Sequence, residues 1–322
     1  MASQEINTAR RRVDSAACHR LSTQDTPCDD LNMADRRRSV AENVPGNFFV
    51  DETCIDCDAC RQLAPEVFAD AGSYSFVHAQ PANPDATRNA LRALLACPTG
   101  SIGTLHPDRI REVRADFPMH LEGGVYYCGY HSPKSYGGSS YFIARREGNW
   151  LIDSPKFLPQ LVGRFEEMGG IAYIYLTHRD DVAEADKYGA RFSSRRIIHR
   201  KELASQPGAE MVVDGFEPVR LAPGFLAIPT PGHTRGHMCL LVENRFLFTG
   251  DHLWWSRAHQ SLSAGRDVCW YSWEEQTRSM ATLAQYSFEW VLPGHGQRIR
   301  QAPEEMRRQI LQLVTQMRER KA

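Results

Sequence analysis

Four cysteines constrain the fold of this 322-residue chain more than any other feature of its sequence. Three lie at two-residue spacing in CIDCDAC, residues 54–60, and the fourth opens CPTG at residue 97. Three thiolates at this spacing wrap one corner of an iron–sulfur cubane, and a distant segment supplies the fourth ligand. Zinc is the alternative, but zinc sites usually pair two short Cys-x2-Cys spacings and do not use a triple. The pattern therefore predicts an iron–sulfur cluster.

The wider stretch VDETCIDCDACRQLAPEVF, residues 50–68, resembles single-cluster ferredoxins. In such proteins all four cysteines bind the same [4Fe–4S] cluster. The resemblance therefore implies one cluster held by Cys54, Cys57, Cys60 and Cys97. The sequence contains no second motif of this kind, so we expect a single cluster that passes single electrons.

A second set of motifs follows, each beside an apolar run that predicts a strand. These are LIDSP (151–155), YLTH (175–178), TPGHTRGH (230–237), FTGDHL (248–253) and LPGHG (292–296). In order and spacing they resemble the metallo-β-lactamase superfamily across residues 122–300. The resemblance implies a four-layer αβ/βα sandwich with metals in a cleft at the sheet edges.

The first metal motif departs from the family pattern His-x-His-x-Asp-His. His178 matches the first histidine. Without a gap, Asp180 stands where the second histidine belongs, and Val182 and Ala183 replace the Asp-His pair. With a one-residue deletion, Asp181 takes the place of the family aspartate and Val182 that of the last histidine. Both alignments lack two histidines.

The remaining ligand positions of the family are kept as His233, Asp251 and His295. The resemblance implies a first metal site of His178, Asp180, His233 and Asp251, and a second of at most Asp181, Asp251 and His295. We therefore expect one divalent metal rather than two. Two histidines with carboxylates form a harder donor set than three histidines; it favours Fe(II), with zinc and manganese as alternatives.

The two aspartates also have a purely structural interpretation, as salt-bridge partners of Arg179 or caps of the following helix. In the catalytic interpretation, Asp251 fixes the metal and Asp180 or Asp181 orients or deprotonates a water molecule. The predicted activity is hydrolysis of an ester-like or thioester-like bond. Two alternatives are a redox enzyme with a mononuclear iron site fed by the cluster, and a non-catalytic electron-transfer or redox-sensing protein.

Other candidates follow or precede the motifs. A cluster of aromatic residues either roofs a substrate pocket or packs between domains; it consists of Trp254, Trp255, Trp270, Tyr271 and Trp273. Further candidates for acid–base chemistry or substrate contact are His252, His259, Cys269, Cys128, His131 and Lys134.

The chain divides into a predicted disordered tail (1–45), a ferredoxin-like domain (46–104) and a metallo-β-lactamase-fold domain (105–322), together an α+β protein. Either Met1 or Met33 could be the start. A net charge of -1 gives no field that would attract nucleic acid or an anionic membrane, and the longest apolar run, 171–176, is too short to span a bilayer.

We expect a small-molecule substrate, and the acidic cysteine unit could also dock on a basic face of its neighbouring domain or of a redox partner protein. The five cysteines outside the motif are scattered and odd in number. This argues against a disulfide framework and for a reducing compartment, the cytoplasm or an organelle stroma.

Overall fold

The computed structural model describes residues 34–319, so residues 1–33 of the predicted tail lie outside the described residues. Residues 34–45 contact the cysteine unit. The Asn43 side chain donates a hydrogen bond to the Val50 carbonyl at 2.7 Å and accepts one from the Val77 N–H at 2.9 Å. The structure thus corrects the prediction of disorder for this segment, because one amide group satisfies backbone atoms of two separate strands.

The cysteine unit combines two helices with two antiparallel strand pairs. Its elements are β1 (Phe48–Val50), α1 (Ala59–Leu63), β2 (Phe68–Asp70), β3 (Ser75–Val77), α2 (Pro84–Ala96) and β4 (Ile102–Thr104). β1 pairs with β4, and β2 with β3. Asn83 caps α2 by accepting the Ala86 N–H, and Pro84 occupies the first turn. Cys97 is the C-cap residue of α2. The following strand, β4, pairs with β1, which precedes the motif, so the fourth cysteine lies near the other three.

The first large sheet contains seven strands. Its elements, with the helices between them, are β5 (Met119–Glu122), β6 (Val125–Tyr127), β7 (Tyr141–Ile143), β8 (Trp150–Ile152), α3 (Pro159–Glu167), β9 (Tyr173–Tyr175), α4 (Ala185–Phe192), β10 (Arg195–His199) and β11 (Met211–Val213). The strand order is β11-β10-β9-β8-β7-β6-β5. β7 and β8 pair antiparallel as a hairpin, and β8 includes the first two residues of the LIDSP motif.

The second large sheet contains six strands in the order β12-β13-β14-β15-β18-β19. The elements are β12 (Val219–Ala222), β13 (Phe225–Pro229), β14 (Met238–Val242), β15 (Phe246–Gly250), β16 (Trp254–Ser256), β17 (Ser261–Ser263), α5 (Trp273–Leu283), β18 (Trp290–Pro293), β19 (Ile299–Arg300) and α6 (Pro303–Glu319). β16 and β17 form a separate pair. Five 3-10 segments complete the described part: Arg36–Arg38, Pro107–Asp116, Pro133–Ser135, Arg179–Asp181 and Arg200–Ser205.

The two sheets pack face to face, with helices outside them. Successive side chains of a strand point to opposite faces. In β7, Phe142 stacks on Phe165 of α3 at 5.0 Å between ring centroids, whereas Tyr141 meets Phe248 of β15 at 5.4 Å. Strands covered on both faces are apolar along their whole length, which explains the continuous apolar runs in the sequence.

Helices α5 and α6 cover the outer face of the second sheet. Leu241 of β14 shares one apolar core with Met280 of α5 and Ile310 of α6. The layers are therefore helix, sheet, sheet, helix, and the predicted α+β fold, with an αββα sandwich after a small N-terminal domain, is confirmed. None of the helices within residues 34–319 has the length and apolar character needed to cross a bilayer.

We expect Trp150→Ala to destabilise the sandwich by about 3–5 kcal/mol. The Trp150 ring lies between Tyr173 of its own sheet, at 4.5 Å, and Phe225 of the other sheet, at 4.3 Å. The measurement is the midpoint of urea unfolding. Trp270→Ala is the matched control; because Trp270 is 60% exposed, its loss should change stability by about 0.5 kcal/mol or less. Equal midpoints for the two variants would contradict this packing.

Candidate functional site

Polar side chains converge where strands of both sheets end. His178 follows β9 of the first sheet, whereas His233, Asp251 and His295 follow or end β13, β15 and β18 of the second. The Nε2 atoms of His178 and His233 each lie 3.6 Å from Asp251 Oδ2. His295 Nε2 lies 3.9 Å from the same oxygen. Three imidazoles therefore surround one carboxylate oxygen.

Asp180 completes a first donor group with His178, His233 and Asp251. Its Oδ2 lies 3.5 Å from His233 Nε2 and 3.9 Å from His178 Nε2. Arg179–Asp181 form a 3-10 turn, in which successive residues are about 120° apart. Asp180 therefore points to the first group while its neighbour in the chain points elsewhere.

Asp181 belongs to a second donor group with Asp251 and His295, whose ligand atoms lie within 4.8 Å of one another. Two glycines make room for its buried carboxylate. A Cβ at Gly294 would lie 2.5 Å from Asp181 Oδ2, and one at Gly138 would lie 2.7 Å from Oδ1. The structure thus brings together all the predicted metal and catalytic residues, with one aspartate of the pair in each group.

The donor atoms fit a divalent metal. Several buried atoms have no hydrogen-bond partner among the described residues: Nε2 of His178 and of His233, Oδ1 of Asp251 and both carboxylate oxygens of Asp181. Buried polar atoms are almost always hydrogen-bonded, and an unpaired buried carboxylate is costly. Coordination of a cation satisfies these atoms together.

Hydrogen bonds to the second ring nitrogens orient the two first-group histidines. Thr177 Oγ1 donates to Asp153, so it is free to accept from Nδ1 of His178 at 3.0 Å. His233 Nδ1 donates to the Val268 carbonyl at 2.6 Å. Both bonds leave the Nε2 lone pairs facing Asp251, as metal-binding histidines require. Asp153 was not among the residues predicted from the sequence, although a carboxylate at the end of a buried strand was a usable signal; a backbone carbonyl such as that of Val268 gives none.

The two donor groups differ in their electrostatics. Burial alone would raise the pKa of Asp251, but the charges of His295 and His178 hold it well below its ordinary value. Burial, together with the charge of Asp251, raises the pKa of Asp181 well above its ordinary value. Asp251 is thus ready to bind a cation, whereas Asp181 becomes a full donor only when a cation offsets its neighbour.

The cysteine motif forms a separate pocket. It is lined by Cys54, Cys57, Cys60 and Cys97, all free thiols. Backbone N–H groups of Ser75 and Ser101 donate to the sulfurs of Cys54 and Cys97, both at 3.3 Å. Burial raises the pKa of Cys57 to about 12, so a proton leaves only when a metal replaces it. Four sulfurs with N–H donors around them fit an iron–sulfur cluster.

The loop through Cys57 has an unusual backbone. Asp56 and Asp58 have positive φ values of 59° and 64°, a region that aspartate tolerates better than most residues. Arg61 holds both side chains, with nitrogen–oxygen distances of 2.8 and 2.7 Å. The loop turns twice within three residues, and Cys57 lies at its centre.

One open cleft of about 1280 Å³ joins the two sites. Its lining includes residues of both donor groups and of the cysteine motif: Asp180, Asp181, His233, Asp251, His295 and Cys57. Tyr136, Val268 and Trp270 also line it, although they are 60%, 40% and 60% exposed. Three of the seven exposed large hydrophobic side chains in residues 34–319 thus surround this cleft, and such patches mark binding surfaces.

The structure divides the predicted aromatic roof. Trp254 and Trp270 line the cleft. Trp255 is buried in the core beneath α5 and α6, and Trp273 packs against that core and donates its indole N–H to the Met317 carbonyl. Both sequence interpretations, pocket and packing, therefore apply to different members of the cluster.

Of the other six candidates, Lys134 alone is among the described residues that line the cleft. His252, His131 and Cys128 are fully buried, and burial lowers the pKa of both histidines to about 3. Cys269 donates to the Gly232 carbonyl. His259 is exposed outside the cleft. These five residues do not meet the donor groups.

Both parts of the chain are similar to known proteins. Residues 50–104 match the family described as the 4Fe-4S single cluster domain of Ferredoxin I. Thioesterase pkgB of Emericella nidulans is 30% identical over 209 residues, which cover 60% of this chain and 58% of that protein. Lactamase-like protein aptB of the same organism is 28% identical over 186 residues, 54% and 56% of the two chains. The chain spans little more than half the length of these curated relatives.

Two solved structures illustrate the similarity in three dimensions. VMB-1 is 18% identical with a TM-score of 0.48, covering 63% of this chain and 96% of its own. ETHE1 from Myxococcus xanthus is 17% identical with a TM-score of 0.45, covering 62% and 91%.

We expect His233→Ala to lower the cleft metal content by at least about tenfold, because the first group loses a ligand and its oriented lone pair. The cluster iron should be unchanged, since His233 does not line the cysteine pocket. Elemental analysis with the visible absorption of the cluster measures both. His259→Ala, which removes an exposed histidine, is the control. Loss of cleft metal and cluster together would contradict two separate sites.

Proposed function

We propose that this chain, which joins a single-cluster ferredoxin-type domain to a metallo-β-lactamase-fold domain, hydrolyses an ester or thioester bond with the help of a divalent metal. One observation carries the proposal: metal-donor atoms of His178, His233 and Asp251 converge, and two of these residues, His233 and Asp251, line an open cleft. The similarity to a protein named as a thioesterase supports this class of bond.

A divalent metal in such a site supplies Lewis acidity and a nucleophile at neutral pH. His178, His233 and Asp251, whose positions are fixed by the strand ends, would hold this metal. Asp180 lies on the solvent side of this group, with 44% of its side chain exposed. The imidazole of His233, whose Nε2 lies 3.5 Å from Asp180 Oδ2, lowers the pKa of Asp180, so this carboxylate is ionised and can accept a proton from an attacking water molecule.

The cleft rim favours a large, flat and apolar acyl group. Tyr136, Val268 and Trp270 present apolar surface at the mouth. The backbone N–H of Trp270 donates to the backbone carbonyl of His233 at 2.9 Å, so this part of the rim has a fixed position relative to His233. A ring system that stacks on Trp270 would therefore place its carbonyl group beside the first donor group.

We expect the protein to hydrolyse a naphthoyl thioester better than an acetyl thioester. Trp270→Ala should raise KM for the naphthoyl substrate about tenfold, the cost of about 1.4 kcal/mol of lost stacking and burial, and leave the acetyl substrate unaffected. Trp270→Phe, which retains a ring, is the matched control. Steady-state thiol release measures both. An equal effect on the two substrates would contradict a role of the rim in acyl recognition.

Asp251→Asn should lower the rate with either substrate by at least about a hundredfold, because the carboxylate shared by both donor groups becomes neutral. The test is the same thiol-release assay with metal-reconstituted protein. Asp214→Asn, which removes an exposed carboxylate paired with Arg200, is the control. Full activity of Asp251→Asn would contradict metal-dependent hydrolysis.

A second candidate function is a redox enzyme with a mononuclear iron site, and one observation favours it. Cys57 of the cluster motif lines the same cleft as the metal donors. Metal analysis of anaerobically purified protein separates the candidates. About four irons with one zinc per chain favour hydrolysis, and about five irons favour the redox enzyme. About four irons and no other metal would exclude both, leaving a non-catalytic electron-transfer or redox-sensing protein.

A further inference from the structure

The cluster pocket and the second donor group share a wall made of two glycines. A Cβ at Gly137 would lie 2.7 Å from Cys57 Cβ and 3.1 Å from its sulfur. A Cβ at Gly138 would lie 2.7 Å from Asp181 Oδ1. Consecutive Cα atoms are about 3.8 Å apart. The peptide unit that joins Gly137 and Gly138 is therefore all that lies between the Cys57 sulfur and the Asp181 carboxylate, and each of them packs closely against one of the two glycines.

This wall is held firmly in place. The Gly137 N–H donates to the Ser132 carbonyl at 2.9 Å, and the Ser139 N–H donates to the Gly294 carbonyl at 2.7 Å. Gly137 has a φ of 84°, which a residue with a side chain adopts only with strain. The wall therefore cannot widen to separate the two sites without breaking backbone hydrogen bonds on both sides.

Charges on the two sides of this wall are close together and partly shielded from solvent. Asp181 is 2% exposed, and Cys57, which faces the wall from the cluster side, is partly buried next to Cys60, which is 7% exposed. Buried charges interact through a low effective dielectric and are screened by salt much less than surface charges. Reduction of the cluster adds one negative charge on one side, and a cation at Asp181 adds positive charge on the other.

We propose that reduction of the cluster recruits a second divalent cation to the group of Asp181, Asp251 and His295. The two unpaired oxygens of Asp181 beside Asp251 make this group a weak cation site in the oxidised protein, and the added negative charge behind the wall strengthens it. By linkage, the cation raises the reduction potential of the cluster by the same free energy. Cleft metal occupancy thus responds to the redox state, whichever bond the cleft hydrolyses.

The redox step transfers a single electron. A low-potential donor, dithionite in the experiment, gives one electron to the cluster, whose four thiolate ligands stay bound. The cation keeps its charge, and no covalent bond of the chain changes. The second cation comes from solution and enters through the open side of the cleft.

The experiment titrates Mn²⁺ into full-length protein that carries its cluster, anaerobically, with and without dithionite. Free Mn²⁺ is counted by its EPR signal, and the cluster potential is measured by redox titration at low and saturating Mn²⁺. We expect the weaker of two Mn²⁺ sites to bind about tenfold tighter after reduction, and the cluster potential to rise by about 59 mV at saturation. Equal affinities in the two states, or no second Mn²⁺ in either state, would overturn the proposal.

Two variants locate the effect. Asp181→Asn should abolish the weaker Mn²⁺ site and most of the potential shift but leave the tighter site, because the first donor group is intact. Asp214→Asn, which removes an exposed carboxylate paired with Arg200, should behave as the wild type. A full potential shift in Asp181→Asn would show that the linkage does not pass through this wall. Thiol release by the oxidised protein tests hydrolysis separately, so failure of one proposal leaves the other standing.

Discussion

The carboxylate of Asp251, 13% of whose side chain is exposed, is the group on which the cleft depends. One of its oxygens faces three imidazoles, and the other has no hydrogen-bond partner among the described residues. It directly follows β15, an interior strand between β14 and β18, so it cannot move without displacing the second sheet. An anion held so firmly in a buried place requires a cation, and the other donors are arranged around that requirement.

The sequence predicted the donors because each follows an apolar run that ends at the same edge of the sandwich. His178, His233, Asp251 and His295 needed only strand assignments and family spacing to be found. The aspartate pair was different, since the sequence left two alignments open for Asp180 and Asp181. The structure assigns one aspartate to each donor group because the 3-10 turn of Arg179–Asp181 sends adjacent side chains in different directions. Such a short turn has no periodicity to read.

The contact between the two domains was beyond the sequence. The sequence offered Cys128, His131 and Lys134 as candidates in this part of the chain. The residues that lie against Cys57 and Asp181 are instead Gly137 and Gly138. A glycine that allows a close approach by lacking a side chain has no functional group that a sequence pattern could identify. Its neighbours in space, Cys57 and Asp181, are also distant from it in the sequence. Similarly, nothing local indicated that Asn43 would join two strands of the cysteine unit.

The two sides of Asp251 face different surroundings, and this asymmetry gives the cleft a direction. On one side, Asp180 is partly exposed and Trp270 forms the rim, so the first donor group faces the open cleft. On the other side, Asp181 is buried against the glycine wall, with Cys57 behind it. The Asp251 carboxylate therefore lies between the cleft opening, on the side of Asp180, and the glycine wall of the cysteine pocket, on the side of Asp181. On our proposal, a change of charge at Cys57 would act on the first donor group through Asp181 and Asp251.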